Sequence, residues 1–225
     1  MRSFSNHGDD LKMLPHLEGI SNGFFVEAGA NDGIEQSNTY LYETVGGWSG
    51  LLVEPNIYKY KDCVRRRPNS IVEHCALVSP SYPRDTIKGF FQYDDHGDSL
   101  CGRIVDDGFD DCMPESPDFK FDDRWSTKEQ EPIEVPCTTL SKLLKKHNIR
   151  GSDVHFLSLD VEGYEPYVLE GLDLTINRPL HILIETAQHK ELLSEFFSNH
   201  EYEFLEKISP VNDLYGRKEG LNKKL

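Results

Sequence analysis

Phe24-Phe25-Val26-Glu27-Ala28-Gly29-Ala30-Asn31-Asp32-Gly33 decides how the rest of this 225-residue sequence reads. Bulky, β-prone residues from Phe24 to Val26 follow the turn signal Ser21-Asn22-Gly23, which predicts a buried strand. The run then breaks into Gly29 and Gly33, where glycine permits a tight turn and a close approach of backbone N–H groups to a ligand. The spacing is G-x-x-x-G, not the G-x-G-x-x-G of a dinucleotide-binding turn. Glu27 and Asp32 flank the two glycines. Carboxylates repel a pyrophosphate and suit a ligand bearing positive charge, such as an amine or a sulfonium. Taken alone, the decapeptide reads equally well as a strand with a structural turn.

Outward from it the pattern repeats. Ser37 or Asn38 caps a helix running to about Val45, and Gly46-Gly47 ends it. Gly50-Leu51-Leu52-Val53-Glu54-Pro55 is a second buried strand with a carboxylate at its tip. A helix from Tyr58 to Arg67 follows, with Arg65-Arg66-Arg67 expected as a solvated end near the helix C-terminus. Ser70 to Val78 supplies a third strand, Val154 to Asp160 a fourth and Leu180 to Glu185 a fifth. Before the fourth strand, Leu140, Leu143, Leu144 and His147 share one helix face behind a Thr139 cap. Pro166 and Gly171 bracket another helix, and a further one spans Gln188 to Ser198. Tyr202 to Ile208 and Asn212 to Tyr215 form a closing antiparallel hairpin.

Strands alternating with helices predict an α/β fold, a doubly wound, mostly parallel sheet with an antiparallel edge hairpin. The chain reads as one domain, residues 1–225, with an N-terminal extension over 1–22 that holds a short helix around Asp10 to Leu17. Residues 80–132 are too long for a simple crossover and read as an insertion or lid. Its aromatics Phe109, Phe119, Phe121 and Trp125 suit a lid that orders over substrate, and Gly89 to Tyr93 is expected to pair with Ile133 to Cys137.

A net charge of −15 argues against a protein that tracks nucleic-acid phosphates. Five cysteines are widely spaced without a C-x-x-C, so neither a zinc knuckle nor a redox pair is indicated. There is no apolar signal core and no run of membrane-spanning length, so a soluble, cytoplasmic protein without membrane partners is expected. A domain cut from a longer chain would read the same way.

In open α/β sheets ligands sit beyond the carboxyl ends of the strands. Acids stand at four of the five strand tips: Glu27 and Asp32, Glu54, Asp160 and Glu162, and Glu185. Like charges crowded on one rim repel, so something cationic or hydroxyl-bearing is expected there. Glu54 lies one β-α unit after the glycine turn, where its two oxygens suit ribose hydroxyls; the plain alternative is a surface acid before Pro55.

The blocks Gly23 to Gly33, Ser37-Asn38-Thr39, Gly47 to Asn56, Thr139-Leu140, Leu157 to Glu165 and Val168 to Gly171 closely resemble the FkbM-type family of S-adenosylmethionine-dependent methyltransferases. They recur in order and cover about residues 23–80 and 135–187. Many bacterial members carry Lys where this chain has Ser158; the Leu-Ser-Leu-Asp version looks like the eukaryotic or viral branch. The resemblance implies a class I, Rossmann-like methyltransferase fold with a seven-stranded sheet, and O-methylation of a hydroxyl on a sugar, glycan or other small metabolite. It implies S-adenosyl-L-methionine held by Glu27, Gly29, Asn31, Asp32, Gly33, Ser37, Asn38, Glu54, Pro55, Asn56, Ala76, Leu77 and Asp160.

A hydroxyl is a poor nucleophile until its proton is removed or shared. Two routes fit. Asp160, Glu162 or His189 acts as general base, or Asp160 and Glu185 bind Mg²⁺ or another divalent cation that acidifies the hydroxyl. Glu162 and Glu165 also make sense simply as acids in a helix first turn, and His189 as a solvent-facing helix residue. Two other classes compete: a nucleotide-sugar or NAD enzyme, which would want the three-glycine turn, and a binding module that has kept the fold and lost turnover.

Overall fold

The computed structural model of the protein describes residues 1–91, 102–104 and 132–218. In chain order the strands are β1 (Phe24–Ala28), β2 (Ser49–Val53), β3 (Ile71–Glu73), β4 (Ala76–Leu77), β5 (Thr86–Phe91) and β6 (Gly102–Ile104). Then come β7 (Ile133–Thr138), β8 (Phe156–Leu159), β9 (His181–Glu185), β10 (Tyr202–Lys207) and β11 (Asn212–Arg217). Seven form one sheet in the order β10-β11-β9-β8-β1-β2-β3. Its centre is parallel, and β11 runs antiparallel to both neighbours, so the expected doubly wound sheet with an antiparallel edge hairpin is present.

The central strands are apolar on both faces because both are covered. Val26, Ala28, Leu51, Val53, Leu157, Leu159, Ile182 and Ile184 face one core, which includes residues of α4 (Leu140–Lys146), α5 (Glu165–Glu170) and α6 (Lys190–Asn199). Phe25, Leu52, Phe156 and Leu183 face the other, against residues of α2 (Tyr40–Gly46), α3 (Ile57–Arg66) and the N-terminal segment. Side chains alternate along a strand, so Glu27 falls on the same side as Phe25. Caps form where the residue types predict them. Asn56 Oδ1 accepts from the N–H groups of Tyr58 and Lys59, Thr139 Oγ1 accepts from Lys142, and Gly47 closes α2 at φ 66°.

Three expectations are corrected. The third strand is not continuous: Ile71–Glu73 pairs with β2, the chain leaves the sheet at His74-Cys75, and Ala76–Leu77 pairs with β7. At the break, His74 Nε2 lies 2.9 Å from the Pro55 carbonyl. The insertion begins as a second, four-stranded sheet, β4-β7-β5-β6, with β5 antiparallel to β7 as foreseen but in register from Thr86↔Pro136 to Gly89↔Ile133. The four lid aromatics lie outside the described residues. The N-terminal helix α1 is only Asp9–Lys12, because Leu14 precedes Pro15 and proline disfavours continued helix before it. Its Asp10 is fully buried and accepts from the Phe4 N–H at 2.8 Å and the Ser5 hydroxyl at 3.0 Å, so residues 3–10 fold onto one carboxylate.

Below this layer, His181 is 3% exposed on β9, and its Nδ1 has no partner. Burial, and then the nearby charges of His16, His155 and Arg217, lower its pKa to about 4. The unfolded chain takes up this proton from about pH 6.5 downward, the folded chain only near 4, so stability drains away as pH falls through that window. Urea unfolding at pH 7.5 and 4.5 checks it: His181→Leu should flatten the acid loss by about 2–3 kcal/mol. An unchanged slope would assign the acid loss to other groups.

Candidate active site

The carboxyl ends of β1, β2, β8 and β9 lie side by side, and the residues predicted from the strand tips gather there. The turn after β1 is built on close packing. Gly29 adopts φ 81°, and a Cβ on it would lie 1.9 Å from the carbonyl oxygen of Asp160 on the neighbouring strand. The N–H groups of Gly29 and Ala30 both donate to the Val53 carbonyl at 3.0 and 3.1 Å, tying the turn to β2. Asn31 follows in the left-handed region at φ 49°, and Gly33 at 85°.

Glu54 lies one residue past the end of β2. It is 6% exposed; Oε2 accepts the Asn31 N–H at 2.8 Å and Oε1 accepts the Asn56 N–H at 2.7 Å, so each oxygen keeps a lone pair. Burial raises its pKa to about 7 despite those two N–H groups and the charge of Lys59. On either side of it, Asn31 Oδ1 and Asn56 Nδ2 are buried without a partner. One acceptor and one donor orphaned beside a half-used carboxylate is the donor set that a ribose-bearing ligand would satisfy.

Other predicted cofactor residues turn inward. Glu27, 3% exposed, accepts from the Ser37 hydroxyl at 2.9 Å, the Asn38 N–H at 2.7 Å and the Thr39 hydroxyl at 2.6 Å. Asn38 Nδ2 donates to Ser158 Oγ at 3.0 Å. Asp32 accepts from the N–H groups of Ile34 and Glu35, both at 2.8 Å, and pairs with Arg66. These polar atoms of Glu27, Asp32, Ser37 and Asn38 shape the loop that carries Gly29 to Thr39. Pro55 is half-buried, and Ala76 and Leu77 are buried core residues on β4.

The solvated arginine end is corrected too. Only Arg65 fits it, with a side chain 71% exposed; Arg66 holds Asp32, and Arg67 is fully buried against Glu27 and Glu43. Part of the charge crowding that pointed to a cationic ligand is thus met by the protein's own guanidinium groups. Tripeptide composition gave no sign of this, because burial of one arginine in three depends on where α3 ends.

Crowding persists around the tips of β8 and β9. Asp160 is open to solvent, yet the surrounding protein raises its pKa to about 6, with the charges of Glu27 and Asp9 adding to desolvation. Glu185, on the adjacent strand tip, is raised to about 9, by desolvation first and then by Asp160, Glu165 and Glu162. Glu165 is 1% exposed; Oε1 accepts from the N–H groups of Val161 at 2.9 Å and Gly163 at 3.3 Å, and burial raises its pKa to about 7. Glu162 is half-buried at φ 57° on that same turn. His189 Nε2 lies 3.1 Å from the Gly163 carbonyl, which only accepts, so Nε2 carries the hydrogen and Nδ1 is its one basic atom.

Among the described residues no three His, Cys, Asp or Glu side chains gather as metal ligands. Asp160 and Glu185 would offer a divalent ion two carboxylates, fewer protein ligands than such a site needs. The expected metal is not fitted by these residues. A separate groove of about 490 Å³, lined by Leu14, Leu17, Ile20, Tyr42 and Trp48 among others, lies toward the opposite ends of the strands and contains none of the site residues. No described helix is long and apolar enough to cross a membrane.

Residues 27–206 match the sequence model of the methyltransferase FkbM domain. Among curated proteins no relative matches. Two solved structures are similar in backbone. One is a TehB-like SAM-dependent methyltransferase from Corynebacterium glutamicum, with 8% identity over 93% of this chain and 88% of that one at a TM-score of 0.45. The other is a fibrillarin/Nop5p complex, with 9% identity over 94% and 79% at 0.43.

Proposed function

The chain belongs to the FkbM methyltransferase family, and from that premise we propose that it methylates a hydroxyl of a sugar or glycan using S-adenosylmethionine. The observation that carries the cofactor half is Glu54 with its flanking orphans, Asn31 Oδ1 and Asn56 Nδ2. Each Glu54 oxygen has one lone pair left for a ribose hydroxyl, and the two amides complete the nucleoside's polar shell. S-adenosylmethionine supplies, when bound, a methyl group activated by the sulfonium. The chain's own task is the acceptor. Asp160 takes the hydroxyl proton as the C–O bond forms, and Glu185, protonated at neutral pH, keeps the second negative charge off the rim. The loop from Val161 to Gly163, held by Glu165 and by His189, sets the far wall.

Glu54 ties affinity to pH. Its ionised form accepts two hydroxyl hydrogens, whereas its protonated form loses an acceptor site, so cofactor affinity should weaken as pH drops below about 7. Calorimetric titration between pH 6 and 8 measures it; Glu54→Gln should raise Kd about tenfold or more and make it flat with pH. A pH-independent wild-type Kd would remove Glu54 from the ribose.

The function is tested by a labelled-methyl transfer screen over mono- and oligosaccharides, run beside calorimetry with S-adenosylmethionine and S-adenosylhomocysteine. Transfer to a sugar hydroxyl is the expected result. Transfer only to non-carbohydrate hydroxyls would change the acceptor class, and no heat with either nucleoside would leave a binding module without turnover.

A further inference from the structure

Arg67 follows α3 with no exposed surface, and its guanidinium serves a different part of the chain. Nε donates to Glu43 Oε2 at 2.6 Å. One terminal nitrogen donates to the Gly33 carbonyl at 2.9 Å and the Ser37 hydroxyl at 3.3 Å, and lies 3.5 Å from Glu27 Oε2. The other donates to Thr39 Oγ1 at 3.0 Å. The rings of Phe25 and Tyr40 lie 5.2 and 5.4 Å from its central carbon. Every one of these partners belongs to β1, the turn after it, or α2 and its cap.

We propose that Arg67 is a positioning residue for the cofactor, holding the loop from Gly29 to Thr39 in its binding shape before the cofactor arrives. This rests on the cofactor site proposed above. Glu27 organises the loop by accepting from Ser37, Asn38 and Thr39, but a carboxylate this buried needs a compensating charge. Arg67 supplies it and, with the same planar group, fixes the Gly33 carbonyl and the Thr39 hydroxyl. A planar fork with five donors can join four segments at once; an ammonium cannot, nor can it stack between two rings. The second glycine of the motif is matched to it, since a Cβ on Gly33 would lie 2.8 Å from Arg67 Cγ. A loop ordered in advance loses less entropy on binding, which appears as affinity.

The test is calorimetry with S-adenosylhomocysteine on wild type, Arg67→Lys and the double variant Arg67→Met/Glu27→Gln, alongside methyl transfer to whichever acceptor the screen yields. Arg67→Lys should raise Kd at least about tenfold while kcat at saturating cofactor stays within about threefold, the pattern of lost uniform binding. Arg67→Met alone leaves both Glu27 and Glu43 buried without their counter-charge and should lower Tm; the double variant, which neutralises Glu27 but not Glu43, should recover part of Tm yet keep the weakened Kd, because Gly33 and Thr39 still lack their donors. A purely structural role would return Kd together with Tm. Thr39→Val, which deletes at nearly constant volume the one hydroxyl that links the Arg67 fork to Glu27, should cost at least about threefold in Kd and serves if Arg67→Lys fails to fold. Folded Arg67→Lys or Thr39→Val binding within about twofold of wild type overturns the inference alone. Wild type giving no heat overturns the cofactor assignment and this inference with it.

Discussion

Asp160→Asn is expected to lower kcat about a hundredfold or more while cofactor Kd stays within about threefold. The asparagine keeps the shape and the backbone contacts, including the Asp160 N–H donation to the Ala28 carbonyl at 3.2 Å, and removes only the ability to take a proton. At saturating cofactor, wild-type kcat/KM for the acceptor should fall as pH drops through about 6, the value to which desolvation and the Glu27 and Asp9 charges raise this carboxyl. The direction follows from the role: a general base works ionised, so activity belongs above its pKa and is lost below it. The Asp160 charge in turn helps hold Glu185 protonated, so the protonation of the two carboxyls is linked. The variant should lack the acid limb. An acid limb that survives in Asp160→Asn, or turnover near wild type, would move the base to His189 Nδ1 or to Glu162 and leave Asp160 a rim charge.

The strands that lead to this residue were legible because buried parallel strands are written as short, continuous apolar runs, and those ending in Glu54, Asp160 and Glu185 allow little else. The glycine turn was legible for a similar reason, since few backbone shapes ask for glycine at both Gly29 and Gly33. Hidden from a linear reading was the fate of each acid. Glu27 and Glu54 stand at equivalent strand ends, but Glu27 sits within its strand and its side chain turns to the α2–α3 layer, whereas Glu54 lies just past its strand and holds two N–H groups at the mouth. Glu27 is level with Leu52, two residues before Glu54, so it is distance past the strand end, not a change of face, that separates loop scaffold from the proposed ribose contact. Arg67 was unreadable because its partners lie between 24 and 40 positions upstream, so no local pattern marks it. The break at His74-Cys75 was hidden because Ile71 to Val78 is apolar on either side of it, and only the partner strand distinguishes two short strands from one long one.

Gly29→Ala tests whether the turn after β1 is as tightly built as the distances say, and the neighbouring Gly47 supplies the control. Both glycines have positive φ, 81° and 66°, so alanine at either one meets the left-handed penalty of about 1–2 kcal/mol. They differ in space. At Gly47 the nearest atom to a new Cβ is 3.9 Å away; at Gly29 it is the Asp160 carbonyl oxygen at 1.9 Å. That oxygen cannot swing aside, because it belongs to backbone fixed by the Ala28↔Leu159 pairing, with the turn bound to Val53 on the other side. Relief requires β1 and β8 to part at the point where Glu54 and Asp160 must face one ligand. Gly47→Ala should therefore cost about 1 kcal/mol in urea unfolding and leave methyl transfer unchanged. Gly29→Ala should cost about 3 kcal/mol or more, and whatever folded fraction remains should bind S-adenosylhomocysteine too weakly for calorimetry to detect. Equal stability losses in the two variants would mean that β1 and β8 separate easily at their tips, and the proposed meeting of Glu54 and Asp160 on one ligand would lose its rigid support.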